Sequence, residues 1–529
     1  MTSRSAVVRM VKMVAAEVAE GQKGDASQLA MEAIGRAPEM AADLLALIIK
    51  EGAKKRPVDD LISAYSFLLG HALEQLRYAV DRDNADAIAF AETLRTTLVE
   101  AGISGRITPS VMLLVLHLFA GAKLEIGDAL RDLMQRMMDA DTSARATVKP
   151  GTWSDHLANM VEELEGDAFA IHGFLDESIT AMPKEMWFDF ITETFAEAEP
   201  ALREATIGFL CSDWSSVRFK VAELIEQAAP EGLVSPTMLR RLIGMRNWLP
   251  AEQRPALDRA IRACRQSGVA CASWQKVAAR KVLATGIDGS GAHSVLVIVP
   301  EQRKHAIASL LGKVGVGVRD AWVKHDMTEA ELRDVESRFA VEAFLTSTTL
   351  EYAAVATQFL LAMNVAAGTM PPFGLLNFAE TVGLESLNPE AMPVGQLLDK
   401  LSEEIAPERL SPQGIDRALA ASARWSDQYP VLGTWFEDNA HVRQLLTKRN
   451  SKTKQRTALL TGPLQEHRHK WAELLAWTAF AMKHQPDGAD WRDFAVIARE
   501  LLADRPLSEI PLMCVIAEST LTVNGATRA

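Results

Sequence analysis

The sequence predicts a mainly α-helical protein of stacked helical pairs, with a small antiparallel β-meander inserted near the middle. Ala, Leu, Glu and Arg, which favour helices, are abundant along the 529 residues. Short amphipathic segments follow one another and are separated by Pro or Gly. Val-rich, Gly-punctuated segments, which favour strands, are concentrated in the window 276–326. These observations together predict helical regions on both sides of a small sheet.

The first predicted region, residues 1–145, is a series of amphipathic helices that ends at the polar stretch Asp141–Gly151. At its start, Arg4, Arg9 and Lys12 interrupt the apolar residues, which is not typical of a secretory signal. The most apolar stretch, Val111–Ala120, is about half the length that spans a bilayer. We therefore expect a cytoplasmic protein that does not enter the membrane.

The second predicted region, residues 150–275, contains helical segments of about a dozen residues with short breaks. Pairs of these segments, such as 183–213 and 215–248, are 30 to 40 residues long. A short helix with one apolar stripe cannot bury it alone, so a neighbouring pair must supply the missing surface. Residues 153–274 thus resemble HEAT or armadillo repeats. The resemblance implies an architecture with a large surface for partners, and it implies no particular activity.

The third predicted region, residues 276–326, reads as a meander of three or four antiparallel strands. Its apolar runs are Val282–Ile287, Ser294–Val299, His305–Leu311 and Val314–Val323. A C-terminal helical region, residues 327–529, then begins at Thr328, with Glu331 as the partner of a capping box.

The segment Asp288-Gly289-Ser290-Gly291, with His293 nearby, has two interpretations. It could form a catalytic or anion-binding site together with Arg319 on a neighbouring strand. It could instead be a hairpin turn, in which Gly289 supplies a positive φ. The spacing matches neither a nucleophile elbow nor a P-loop, which favours the turn. Asp288, His293 and Arg319 are therefore weak catalytic candidates.

The glycine string Gly312, Gly315 and Gly317 does not have the spacing of a dinucleotide-binding loop. We expect it to mark a kinked or bulged strand.

A basic segment from Arg240 to Lys281 follows an acidic one from Glu162 to Glu199. It could bind phosphates or an acidic partner, or it could consist of solvated helix faces neutralised within the protein. The candidate binding residues are Arg240, Arg241, Arg254, Arg259, Arg262, Arg265 and Trp248.

The overall charge argues against nucleic acid as the partner. Lys plus Arg number 56 and Asp plus Glu 69, giving a net charge of −13, which repels nucleic acid and anionic membranes. The four cysteines contain no CxxC pair, which fits a reducing compartment. Neither they nor the histidines show a metal-binding spacing, so we expect no metal and no cofactor.

The sequence therefore favours a non-catalytic intracellular scaffold or adaptor that binds a protein partner, because no nucleophile, base and orienting group are recognisable together. One alternative is a HEAT-like DNA-binding protein, similar to the alkylation-repair glycosylases of that architecture. It would need a basic groove and an exposed Trp248. The other alternative is an enzyme with its site at the β-meander.

Overall fold

The computed structural model describes residues 4–19, 24–81, 84–140, 152–343, 345–385, 387–446, 451–485 and 491–526. The predicted boundary at Asp141–Gly151 lies outside the described residues. Among the described residues helices predominate, and one small antiparallel sheet lies near the middle of the chain, so the predicted fold class is confirmed. The chain divides into two compact units, Met1–Phe209 and Leu210–Ala529, which are described separately below.

Unit 1 is helical throughout its described part. Its helices are α1 (Arg4–Ala19), α2 (Asp25–Arg36), α3 (Met40–Gly52), α4 (Asp59–Asp81), α5 (Ala85–Ile103), α6 (Pro109–Gly121), α7 (Asp128–Ala140), α8 (Thr152–Glu163), α9 (Ala168–Ala181), α10 (Trp187–Ala196) and α11 (Pro200–Thr206). Local signals set several of these starts: the Asn84 side chain caps α5, and Thr108 caps α6, with Pro109 in its first turn. The apolar stripes of α1 to α7 meet in one core, which includes Leu44, Leu68 and Val115.

Unit 2 begins with three helices, continues into the sheet and ends in a helical region. The first helices are α12 (Ser215–Ala228), α13 (Pro236–Met245) and α14 (Arg254–Gln266). After the first four sheet strands comes α15 (Glu329–Ala343), and a short fifth strand separates it from the helices that follow. These are α16 (Leu350–Ala367), α17 (Gly374–Val382), α18 (Val394–Ser402), α19 (Pro407–Leu410), α20 (Pro412–Ser422), α21 (Trp425–Gln428), α22 (Ala440–Leu446), α23 (Lys452–Thr461), α24 (Pro463–Glu466), α25 (Arg468–Lys483), α26 (Trp491–Leu502) and α27 (Pro511–Ala526).

The sheet contains the predicted meander and one further short strand. Its strands are β1 (Lys281–Ala284), β2 (Ala292–Glu301), β3 (Lys304–Lys313), β4 (Gly317–Met327) and β5 (Thr346–Ser347). The order is β4-β3-β2-β1-β5, and every neighbouring pair is antiparallel. Thr328 and Glu331 form the predicted capping box after β4, with a distance of 2.8 Å from the Thr328 nitrogen to the Glu331 carboxylate.

The predicted irregularity at the glycine string is present. The β3–β4 pairing shifts register between Leu311 and Gly312, which is a bulge, and the hairpin that follows contains Gly315 and Gly317 at positive φ. Gly312 also allows α16 to approach, because a Cβ at this position would lie 2.1 Å from the Leu360 side chain.

The two faces of the sheet are covered by different helices. On one face, Leu296 and Ile307 pack with Leu332 of α15. On the other, α16 and α17 pack against β4, where the Asn364 side chain accepts a hydrogen bond of 2.8 Å from the Val318 nitrogen.

Helix α16 is long and apolar enough to cross a membrane by length and composition, and in the described part of the chain it is the one helix that meets this test. Its residues Tyr352, Leu360 and Asn364 are buried against the sheet and the C-terminal helices. In this fold it is a core helix.

The C-terminal helices share a core rich in aromatic rings. Trp425 stacks on Phe494 at 3.9 Å between ring centres, and Phe359 stacks on Trp477 at 4.0 Å. This core also contains Ile287, which follows β1, and Val314, which follows β3.

Candidate functional site

Asp288 closes the turn between β1 and β2. Its Oδ1 atom accepts hydrogen bonds from the Ser290 nitrogen at 2.8 Å, the Ser290 hydroxyl at 2.8 Å and the Ala292 nitrogen at 2.9 Å. The Gly291 nitrogen also donates to the Asp288 carbonyl oxygen at 2.9 Å. This carboxylate is thus committed to the backbone of its own turn, which is a structural arrangement.

The positive φ in this turn belongs to Gly291, at 89°, and not to Gly289, as the Asp-Gly pattern predicts. Gly289 is needed for a different reason. A Cβ there would lie 2.5 Å from the Thr434 carbonyl oxygen and 2.8 Å from the Trp435 Cα, so glycine permits the close approach of two backbones.

His293 is buried on the sheet face, and neither of its ring nitrogens forms a hydrogen bond of good geometry with a described residue. Burial lowers the pKa of His293 to about 4, although the Gly291 backbone and the charge of Asp288 act in the opposite direction. The imidazole is therefore neutral at physiological pH.

Arg319 lies at the bulge of β4, exposed to solvent. It is two strands away from His293 on β2, which corresponds to about 10 Å across the sheet. The structure thus does not gather Asp288, His293 and Arg319 into one pocket, and none of the three lines the cavity described below.

The first arginines of the basic segment are paired within unit 2. Arg241 donates to both carboxylate oxygens of Glu380 on α17, each at 2.9 Å, and Arg240 reaches the same carboxylate at 2.8 Å. The exposed fraction of the side chain is only 8% for Arg241, 13% for Arg240 and 15% for Glu380. This ion-pair group holds α13 against α17.

Arg254 is also structural, because its guanidinium donates to the carbonyl oxygens of Leu249 at 2.9 Å and Asn247 at 3.2 Å. Arg246 forms a bidentate pair with Asp258, at 2.7 and 2.8 Å, and these hydrogen bonds lower the pKa of Asp258. Internal neutralisation therefore accounts for much of the basic segment.

Trp248 is only 2% exposed, and its Nε1 donates to the Leu387 carbonyl oxygen at 2.7 Å. The expected role of Trp248 as an exposed contact for a base is therefore wrong. A tryptophan at the end of a short helix can be buried or exposed, and the sequence contains no signal that distinguishes the two cases.

The remaining arginines lie on α14. Arg259, Arg262 and Arg265 are exposed and follow one another at intervals of three residues, so they share one side of the helix. Arg259 pairs with Glu226 of α12 at 3.3 Å. Within the residues that the structure describes, Arg262 and Arg265 form no ion pair.

The helices α12 and α14 run parallel, with α13 between them in sequence. Arg218 on α12 donates to Gln253 at the start of α14, and Glu226, about two turns further along α12, pairs with Arg259, about one and a half turns into α14. The partners are 35 and 33 residues apart.

Two contacts that position these arginines have no signal in the sequence, namely Gln253 to Arg218 and Glu380 to Arg241. Glu380 is 139 residues from Arg241 in the chain, and nothing in the local pattern links them.

No described group of three or more His, Cys, Asp or Glu side chains could hold a metal ion. All four cysteines are free thiols.

Comparison with known proteins finds similarity in two segments and over most of the chain. Residues 183–268 match the Y4lR second domain, and residues 395–524 match the Y4lR C-terminal helical domain. No solved structure matches the chain. The chain is similar to the uncharacterized protein y4lR of Sinorhizobium fredii (strain NBRC 101917 / NGR234), with 25% identity over 467 residues that cover 87% of this chain and 88% of the relative.

Proposed function

We propose that the protein is a non-catalytic adaptor that binds an acidic protein partner through the exposed side of α14. The observation that carries the proposal is the row of Arg259, Arg262 and Arg265, of which the last two have no ion-pair partner among the described residues. Like charges three residues apart on a helix cost a few tenths of a kcal/mol per pair. An acidic partner would offset that cost and would use the charges for specificity and a fast association rate.

The packing of α12 and α14 supports a repeat architecture of the HEAT or armadillo kind. In such stacks, equivalent helices of successive pairs run parallel and line one side of the array. The spacings of 35 and 33 residues between their contacting partners fit the length of one helical pair. Phe219, 44% exposed on α12, adds an aromatic side chain of the type that anchors protein interfaces.

A protein partner fits these observations better than DNA does. Trp248 is buried and the net charge is −13, so a DNA-binding surface would lack the tryptophan contact expected of it and would work against the overall field. An enzymatic role at the β-meander is disfavoured because the Asp288 carboxylate is occupied by its own turn. We place the adaptor in the cytoplasm, as its four free thiols are compatible with a reducing compartment.

The test is affinity purification from the native cell with the double variant Arg262→Gln/Arg265→Gln. Arg333→Gln/Arg417→Gln removes two other exposed arginines and serves as the matched control. We expect the α14 variant alone to lose a partner, and that partner to dissociate from the wild type as salt is raised. Retention of every partner by the α14 variant contradicts the proposal.

A further inference from the structure

We propose that unit 2 holds a binding site for a small, neutral, aromatic molecule, in a cavity between the edge of the sheet and the C-terminal helices. The cavity has a volume of about 300 Å³. This inference does not depend on the adaptor proposal, because no residue of α12 to α14 lines the cavity.

The walls come from two parts of the fold. On the sheet side they are residues 284–287, at the end of β1, together with Thr346 and Thr348 around β5. On the helix side they are residues 428–432, Phe494 of α26 and the face of α25 that carries Thr478, Ala481 and Met482. The helix-side residues lie within the segment similar to the Y4lR C-terminal helical domain.

Hydrogen bonds tie the two walls together without a ligand. The Trp435 Nε1 donates to the Ile287 carbonyl oxygen at 2.9 Å, and the Gly289 nitrogen donates to the Thr434 hydroxyl at 3.2 Å. At the other end, the Gln485 side chain donates to the Thr346 hydroxyl at 3.0 Å. The cavity is therefore pre-organised, which lowers the entropic cost of binding.

The volume limits the occupant to a small molecule. About 300 Å³ equals the liquid volume of about ten water molecules, and covalently bonded atoms pack more closely than separate waters, so the cavity fits a ligand of roughly ten to fifteen non-hydrogen atoms. It is at the lower end of the range for ligand pockets. A folded partner protein needs a far larger surface to form a specific complex.

The lining determines the chemistry of the ligand. None of the described residues that line the cavity is Asp, Glu, Lys, Arg or His, so a charged ligand would be desolvated without a counter-charge. Tyr429 and Phe494 supply aromatic rings, which favour another ring as their neighbour. The polar side chains of this lining are neutral hydroxyl and amide groups, so a neutral ligand fits it better than an ion does.

The direct test is isothermal titration calorimetry of the full chain with two probes of the same shape. Naphthamide is neutral, whereas naphthoate is an anion at neutral pH. We expect saturable binding of naphthamide and binding of naphthoate that is at least tenfold weaker. Absence of naphthamide binding, or equal affinity for the two probes, overturns the proposal.

Variants locate the binding site. Ala481→Phe fills the cavity from α25, whereas Ala420→Phe makes the same change at an exposed position on α20. We expect only Ala481→Phe to weaken naphthamide binding, by tenfold or more. Unchanged affinity in Ala481→Phe would place the probe elsewhere and overturn the assignment.

Ala481→Leu keeps the test decisive if Ala481→Phe does not fold, because its smaller side chain fills only part of the cavity. We expect the affinity for naphthamide to fall severalfold in this variant. Wild-type affinity in Ala481→Leu would contradict the assigned site.

Discussion

The indole Nε1 of Trp435 donates a hydrogen bond of 2.9 Å to the carbonyl oxygen of Ile287, a residue 148 positions earlier in the chain. The bond is buried, and it joins the turn that follows β1 to the aromatic core of the C-terminal helices. This bond is therefore one of the long-range contacts that hold the sheet of unit 2 against its last helices.

Replacement of this indole should show how much the hydrogen bond contributes to the free energy of unfolding. Trp435→Phe removes the donor and leaves the Ile287 carbonyl oxygen buried without it, which costs about 1–3 kcal/mol beyond the loss of ring area. Trp477→Phe is the matched control, because Trp477 is also buried but its Nε1 has no described partner. Denaturant unfolding should show the larger loss in Trp435→Phe. Equal losses would mean that the hydrogen bond contributes nothing.

Gly289→Ala should destabilise unit 2 through a backbone clash. The new Cβ would lie 2.5 Å from the Thr434 carbonyl oxygen, and overpacking of this kind costs about 1–3 kcal/mol. Gly433→Ala is the control two residues before Trp435, since a Cβ there meets no atom within 4 Å. A lowered melting temperature in Gly289→Ala alone is the expected result. If both variants melt alike, the close approach at Gly289 is not maintained in solution.

The sequence predicted those parts of the fold that depend on local patterns. The strands β1 to β4 follow from alternating and Val-rich runs, and the Thr328 capping box follows from spacing alone. The strand β5 was missed because it has only two residues, Thr346 and Ser347, and forms by pairing with β1. The exposure and pairing of the candidate site residues depend instead on long-range contacts. Whether Trp248 is exposed, and whether Arg241 is paired, is decided by Leu387 and Glu380, more than a hundred residues away.

Two buried histidines should make stability depend on pH. Burial lowers the pKa of His293 in unit 2 and of His172 in unit 1 to about 4, from an ordinary value near 6.5. The unfolded chain then binds more protons than the folded chain between these values. The free energy of unfolding is therefore unaffected by these histidines above pH 6.5. It decreases as the pH falls from 6.5 toward 4, by up to about 3 kcal/mol per histidine.

Unfolding free energies measured from pH 7.5 to pH 4.5 test this expectation. His293→Leu should reduce the slope in unit 2 and leave the slope of unit 1, which contains His172, unchanged. An unaltered slope in His293→Leu would show that this imidazole does not titrate on unfolding.

Breaking the ion pair of Arg241 and Glu380 should reduce stability far more than breaking an exposed pair of the same region. Glu380→Gln leaves the poorly exposed guanidinium groups of Arg240 and Arg241 without a counter-charge. Removal of one partner from a buried pair costs about 3–5 kcal/mol, because the remaining charge stays desolvated. Glu226→Gln makes the same change in the exposed pair with Arg259, where we expect a loss of less than about 1 kcal/mol.

Urea unfolding of both variants at low and high salt gives the comparison. The Glu380→Gln loss should persist at high salt, because a buried pair is screened little, and the small Glu226→Gln loss should disappear. A loss of similar size in the two variants would mean that Glu380 is hydrated in solution and that α13 and α17 are held together by their apolar contacts alone.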